Sequence, residues 1–134
     1  MRFYMTHTAT LPNGKPFDIR ERLFLFACRV VEAAQKLHTR GQIAGSLSLQ
    51  LVNAAVSAVA NAEEADDASS DRDFRAKDRI CLREIKEARL RLRVLRATGY
   101  LDAGDDALIQ EATELKKIVA TIIRNNERGG AERE

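Results

Sequence analysis

SSDRDFRAKDRICLREIKEARLRLRVLRATGY, residues 69–100, is the stretch that decides the fold. Ser70, with Asp73 three positions on, has the form of a helix N-cap, and Phe74 starts the apolar face behind it. The helical pattern then runs unbroken to Thr98. Gly99 can take the left-handed conformation there, and Tyr100 can supply the apolar contact that accompanies such a stop. Working upstream, a second helix covers about 43–66 behind Gly41. A first opens at Phe17-Asp18, with Asp18 and Glu21 at capping-box spacing, and runs to about His38. Downstream, a fourth starts near Asp102 to Asp105 and runs to about Asn126, where Asn125-Asn126 and Gly129-Gly130 end it. Connections this short force neighbours to be antiparallel, so the sequence predicts an all-α, up-down-up-down four-helix bundle. It divides into a loose lead-in over 1–16, a bundle over 17–126 and a polar C-terminal tail over 127–134.

A chain of 134 residues is one domain, and it is long enough to fold without a disulfide or a metal. Its 45% hydrophobic and 31% charged residues describe a globular surface, and two prolines with seven glycines disfavour an all-β fold. Cys28 and Cys81 lie far apart within apolar-periodic segments, as reduced thiols of a cytoplasmic protein do. The first sixteen residues lack the apolar core of a signal peptide. The longest uncharged run, 41–62, carries Gln42, Ser46, Ser48, Gln50, Asn53, Ser57 and Asn61, and is read as too polar for a membrane span.

The apolar faces are wider than one bundle needs. Helix one places Leu23, Ala27, Val30, Ala34 and Leu37 on one stripe, with Phe24, Cys28 and Val31 on a second beside it. Helix two keeps a narrow polar side of Ser46, Gln50, Asn53, Ser57 and Glu64. Ile43, Leu47, Leu51, Val52, Ala55, Val56 and Val59 cover the rest. A helix apolar on nearly all sides is buried from two directions, which points to a homo-oligomer. The expected contact surface is Phe24, Cys28, Val31, Leu51, Val52, Ala55 and Val59, and Ala54, Ala58 and Ala62 at spacing four would admit another helix closely. The competing reading is that alanine is simply a good helix former that tolerates water.

Charge is sorted by segment. Between Arg72 and Arg96 ten basic residues face four acidic ones, a surplus of +6 on one helix of a chain whose total is +2. Arg72, Arg75, Arg79, Arg83 and Lys86 stack on one stripe, which Arg89, Arg93 and Arg96 continue at its flank, with Arg75, Arg79, Arg83, Lys86, Arg89 and Arg93 between its two ends. Like charges at this spacing repel, so an anion or an acidic surface should answer them. Eight arginines to two lysines suits phosphate, which the planar guanidinium binds at two points. These six residues are the candidate contacts to structured RNA or DNA, directed at the backbone because no aromatic side chain interleaves for base stacking. The rival is a face neutralised by solvent or by another subunit, with Glu63, Glu64, Asp66, Asp67 and Asp71 as the nearest supply of negative charge.

No catalytic constellation is expected. Glu63, Glu64 and Asp67 with Glu84 and Glu87 loosely match the acidic pattern of all-α nucleotide pyrophosphatases. Their distances from the hairpin turn differ, though, by roughly 12 Å along the axis, too far to share an ion. Neither His7 nor His38 has a glutamate three residues before it, as a di-iron bundle site would. No metal, cofactor or nucleophile spacing is present.

The order FDIRERLFLFACRVV, QLVNAAVSAVANAEEA, SSDRDF and REIKEARLRLRVLRATGYL resembles the four-helix-bundle family named after the intervening sequence of large-subunit (23S) ribosomal RNA. The most specific pieces are Gln50-Leu51, Ala54-Ala55-Val56-Ser57, Ala60-Asn61, Ser70, Phe74, and the series Glu84, Glu87, Leu92, Leu95, Gly99, Tyr100. The resemblance implies a small cytoplasmic bacterial protein assembled as a ring-like homopentamer. It extends more distantly to the accessory variability determinant of diversity-generating retroelements, a basic pentamer that works with a reverse transcriptase and binds nucleic acid. Two positions depart from the family pattern: Ala62-Glu63-Glu64 stands where Ala-Glu-Gly is usual, and Arg89-Leu90-Arg91 replaces an aromatic pair. The expected function is therefore a non-enzymatic oligomer that binds structured RNA or DNA. The alternative is a protein-binding scaffold, including an accessory to a reverse transcriptase.

Overall fold

The structure is a computed structural model that describes residues 18–133, with burial assigned as far as residue 129. The lead-in expected over 1–16 lies outside the described residues. Among the described residues there are four helices, α1 (Ile19–Leu37), α2 (Gln42–Asp66), α3 (Asp71–Ala97) and α4 (Asp106–Arg133), with a 3-10 turn at Ala103–Asp105 before α4. Each helix packs on the next, most extensively α2 on α3, and α4 closes back on α1. The bundle is all-α and up-down-up-down, as the helical periods predict.

Buried positions recur at alternating spacings of four and three in every helix. In α3 they are Phe74, Asp78, Cys81, Ile85, Ala88, Leu92 and Leu95; in α2 they are Ala44, Ser48, Leu51, Ala55, Ala58, Ala62 and Ala65. A seven-residue repeat keeps one seam facing its partner along a whole helix, which is knobs-into-holes packing. Side chains are large on α3 and small on α2, so the two backbones approach closely and their volumes complement each other in one core. Ala54, Ala58 and Ala62 are thus buried inside the protomer, not left for another chain. Ser48 holds a core position by donating its hydroxyl to the Gly45 carbonyl at 2.8 Å.

The ends are closed by the capping chemistry that the sequence offers. Ser70 Oγ accepts from the Asp73 amide at 3.0 Å. Asp18 caps α1 through the Arg20 amide at 2.9 Å, one residue short of the box expected with Glu21. Asp102 and Asp105 form a reciprocal capping box at the 3-10 turn. Gly99 takes φ +85°, letting the Tyr100 and Leu101 amides return to the Leu95 carbonyl. Arg40, on the α1–α2 connection, lies 5.0 Å over the Tyr100 ring and donates to the Tyr100 carbonyl at 2.9 Å, tying both upper connections together.

Three features differ from expectation. α4 does not stop at Asn126 but runs to Arg133, so residues 127–133 are helix and not a tail. Asn126, buried, uses its amide on α3, accepting from Arg75 at 2.8 Å and reaching Asp71 at 3.5 Å, and so does not end its own helix. A buried ion pair, Arg22 with Glu111, joins α1 to α4 through contacts of 2.7 and 3.2 Å, with Glu114 at 3.5 Å. Breaking such a pair from one side typically costs about 3–5 kcal/mol. Finally, α2 is long and apolar enough to span a membrane by length and composition. Packing between α1 and α3 buries 39% of that apolar window, and Ile43, Leu49 and Val56 remain exposed.

Ala58→Leu should overpack the α2–α3 seam and lower stability by about 1–3 kcal/mol, read as a fall in urea midpoint. Ala76→Leu, on the exposed side of α3, should stay within about 0.5 kcal/mol of the parent.

Candidate nucleic-acid interface

The heptad fixes which α3 side chains face each neighbour. Positions on one flank meet α2, where Lys77 bonds Glu64 at 3.0 Å and Arg91 bridges Glu87 and Gln50. The Glu64 carboxylate raises Lys77 above the usual lysine range, first by hydrogen bonding and then by charge. Positions on the other flank meet α4. Arg75 donates to Asn126, Arg79 pairs with Glu127, Arg89 donates to Thr113 at 2.8 Å and Arg96 pairs with Asp106 at 2.9 Å.

The six residues expected to hold phosphate therefore divide. Arg75 and Arg89 are half-buried and turned onto α4, where their hydrogen bonds serve the bundle. Arg79 is exposed but answered by Glu127, and Arg83 pairs with its neighbour Glu84 at 3.3 Å. Lys86 and Arg93 stand exposed, with no carboxylate at ion-pair distance among the described residues. Sequence reasoning missed what adjoins Lys86: Lys116, Lys117 and Arg124 of α4 line a groove of about 520 Å³ with it, together with Leu82 and Ala120. These α4 residues carry no signal of their own, since a Lys-Lys pair and one arginine are ordinary on a solvated helix.

The expected oligomer surface also divides. Phe24, Cys28, Val31 and Val59 come together in an almost wholly apolar groove of about 560 Å³ between α1 and α2, to which Val56 and Ala60 also contribute. Phe24 is 51% and Val56 49% exposed. Leu51 and Ala55 do not belong to it. Both are completely buried in the protomer, because they occupy heptad positions of α2 that face the bundle axis; Val52 is half-buried against the same core. Glu32 and Glu63 edge the groove. Outside it, Leu90 (51% exposed) and Val94 form an apolar pair on α3 with Arg93 between them in sequence.

The acidic pattern weighed for catalysis is not assembled. Glu64 pairs with Lys77, whereas Glu84 and Glu87 line a separate polar groove opposite Gln50, Asn53 and Ser57. Among the described residues no group of three or more His, Cys, Asp or Glu side chains could hold a metal ion. Cys81 is buried beside Asp78. Burial first, then the nearby Asp78 and Glu84 charges, push its thiol well above the ordinary cysteine range. Cys28 is exposed. In a thiol-reagent titration Cys81 should stay silent in the native protein and react only once denaturant unfolds the bundle.

Comparison with known proteins follows the same outline. Residues 15–121 match the model of the family described as 23S rRNA-intervening sequence protein. Among solved structures, the chain is similar to a protein of unknown function from the S23 ribosomal protein family of Bacteroides thetaiotaomicron VPI-5482. That crystal structure shares 28% identity, superposes with a TM-score of 0.73, and is matched over 78% of this chain and 97% of the other. No curated protein matches. The chain belongs to the 23S rRNA-intervening sequence protein family.

Proposed function

We propose that this member of the 23S rRNA-intervening sequence protein family is a non-enzymatic, self-associating cytoplasmic bundle that binds structured RNA or DNA through backbone phosphates. The observation that carries the reading is the exposed basic face of α3, where Arg83, Lys86 and Arg93 project beside the neutralised Arg79. Cations held on a rigid helix without aromatic neighbours suit sequence-independent phosphate contact, not base readout.

Self-association is supported by the apolar α1/α2 groove. A two-fold contact would set the Glu32 and Glu63 edges of one copy against those of the next, so a head-to-tail contact fits better. Its counterpart would be the exposed Leu90 and Val94 ridge, apolar against apolar. Head-to-tail contacts close into a ring when the rotation between copies is a whole fraction of a turn, as in the homopentamer implied by the family resemblance. The same groove favours a second reading, in which it seats a different protein, such as a reverse transcriptase, and the bundle acts as a scaffold.

Anisotropy of a labelled structured RNA and of a matched DNA duplex should show affinity falling steeply from low to physiological salt, and Arg83→Glu with Arg93→Glu should weaken it about tenfold or more. Absence of binding at low salt would overturn the nucleic-acid reading. Light scattering after gel filtration should report an oligomer that Phe24→Glu converts to monomer. Cys28 should then react faster with a thiol reagent in the variant than in the parent.

A further inference from the structure

The cations of this bundle are not evenly answered. On α3, Arg72 and Arg93 are exposed with no carboxylate at ion-pair distance among the described residues. Lys77, Arg79, Arg83, Arg91 and Arg96, however, each pair with a carboxylate, and Arg75 and Arg89 are half-buried on neutral α4 side chains. Around the α3/α4 groove the opposite holds. Lys86, Lys116 and Lys117 have no carboxylate within ion-pair distance among the described residues, and Arg124 reaches only the Thr121 hydroxyl at 3.2 Å. That hydroxyl is itself fixed, donating to the Lys117 carbonyl at 2.9 Å. Thr121 therefore positions the guanidinium at the groove without neutralising it. Four like charges around one recess repel one another, and a bound anion would relieve the repulsion.

Resting on the nucleic-acid reading, we infer that the groove between α3 and α4 is its principal phosphate site, in which Lys86, Lys116, Lys117 and Arg124 track one strand of a duplex. The dimensions favour a strand over a single anion. From Lys116 to Arg124 the helix rises about 12 Å. One strand of a duplex presents a phosphate about every 3.4 Å of axis, so that length meets about three to four of them. A lone phosphate would satisfy one end of the row and leave the other repelling. Leu82 and Ala120 line the groove with small apolar surface and no competing acid.

The test is anisotropy of a labelled RNA duplex and a DNA duplex with the full-length protein across a salt series, comparing three variants. Lys116→Glu with Lys117→Glu should lower affinity at least tenfold and flatten the logarithmic salt dependence by about two units. Lys116→Arg with Lys117→Arg should bind within about twofold of the parent. Arg83→Glu with Arg93→Glu, the charge-matched comparison on α3, should cost several-fold less affinity than the α4 pair, and an equal or larger loss would overturn the groove as the principal site. If that pair alone weakens binding, the groove assignment is overturned while the nucleic-acid reading stands. Absent binding in the parent overturns both. Equal competition by inorganic phosphate at matched phosphate concentration would also overturn the strand assignment. Unchanged circular-dichroism melting of the glutamate variants confirms that charge, not folding, was altered.

Discussion

Alanine at the α2 positions that face α3 is the constraint on which the rest depends. Ala55, Ala58, Ala62 and Ala65 present almost no side-chain volume to α3, so two helices of 25 and 27 residues lie close along their length. Helix pairs pack at interaxial distances of about 8–10 Å depending on contact residues, and alanine favours the lower end. Close packing over that length fixes the register of α3 to within a fraction of a turn. Once it is fixed, every α3 residue has a determined outlook: towards the axis, α2, α4 or solvent.

That outlook explains the charge distribution better than the basic count does. The arginines of α3 are only partly available, since its flanks are laced to both neighbours by Lys77 to Glu64, Arg75 to Asn126, Arg89 to Thr113 and Arg96 to Asp106. The two ion pairs among these, Lys77 to Glu64 and Arg96 to Asp106, are solvent-accessible and contribute little to stability, about 0–1 kcal/mol each. Their larger consequence is selective, because they engage some cations and leave others facing water. α4 completes the pattern by bringing Lys116, Lys117 and Arg124 beside Lys86.

The apolar surplus follows from the same geometry. A heptad seam uses one narrow face of each helix, yet α1 and α2 carry apolar residues well beyond it. Phe24, Val31 and Val56 fall outside the seam and gather on one side of the molecule, while the acids Glu32 and Glu63 edge the groove they form. The protomer thus has an apolar side at α1/α2 and a basic side at α3/α4. Distinct opposite faces of this kind suit a directional assembly better than a symmetric pair.

Four helices, their connections and most caps were legible in the chain because they are local. Ser70, Gly99 and the Asp102–Asp105 box act within a few residues, and hydrophobic period needs only one turn to be visible. The end of α4 was not legible. Asn126 reads as a stop alone and becomes a core residue only when Arg75 and Asp71 of α3 meet its amide. The same limit governed the surfaces. Leu51 and Ala55 look like further members of an exposed apolar face, and Arg75 and Arg89 like further phosphate contacts, until neighbouring helices claim them. Sequence by itself determined that this chain is a four-helix bundle with one strongly basic helix and more apolar surface than it can bury. Only the tertiary structure decided which cations remain unanswered and which apolar residues remain outside, since both depend on the register between helices far apart in the chain.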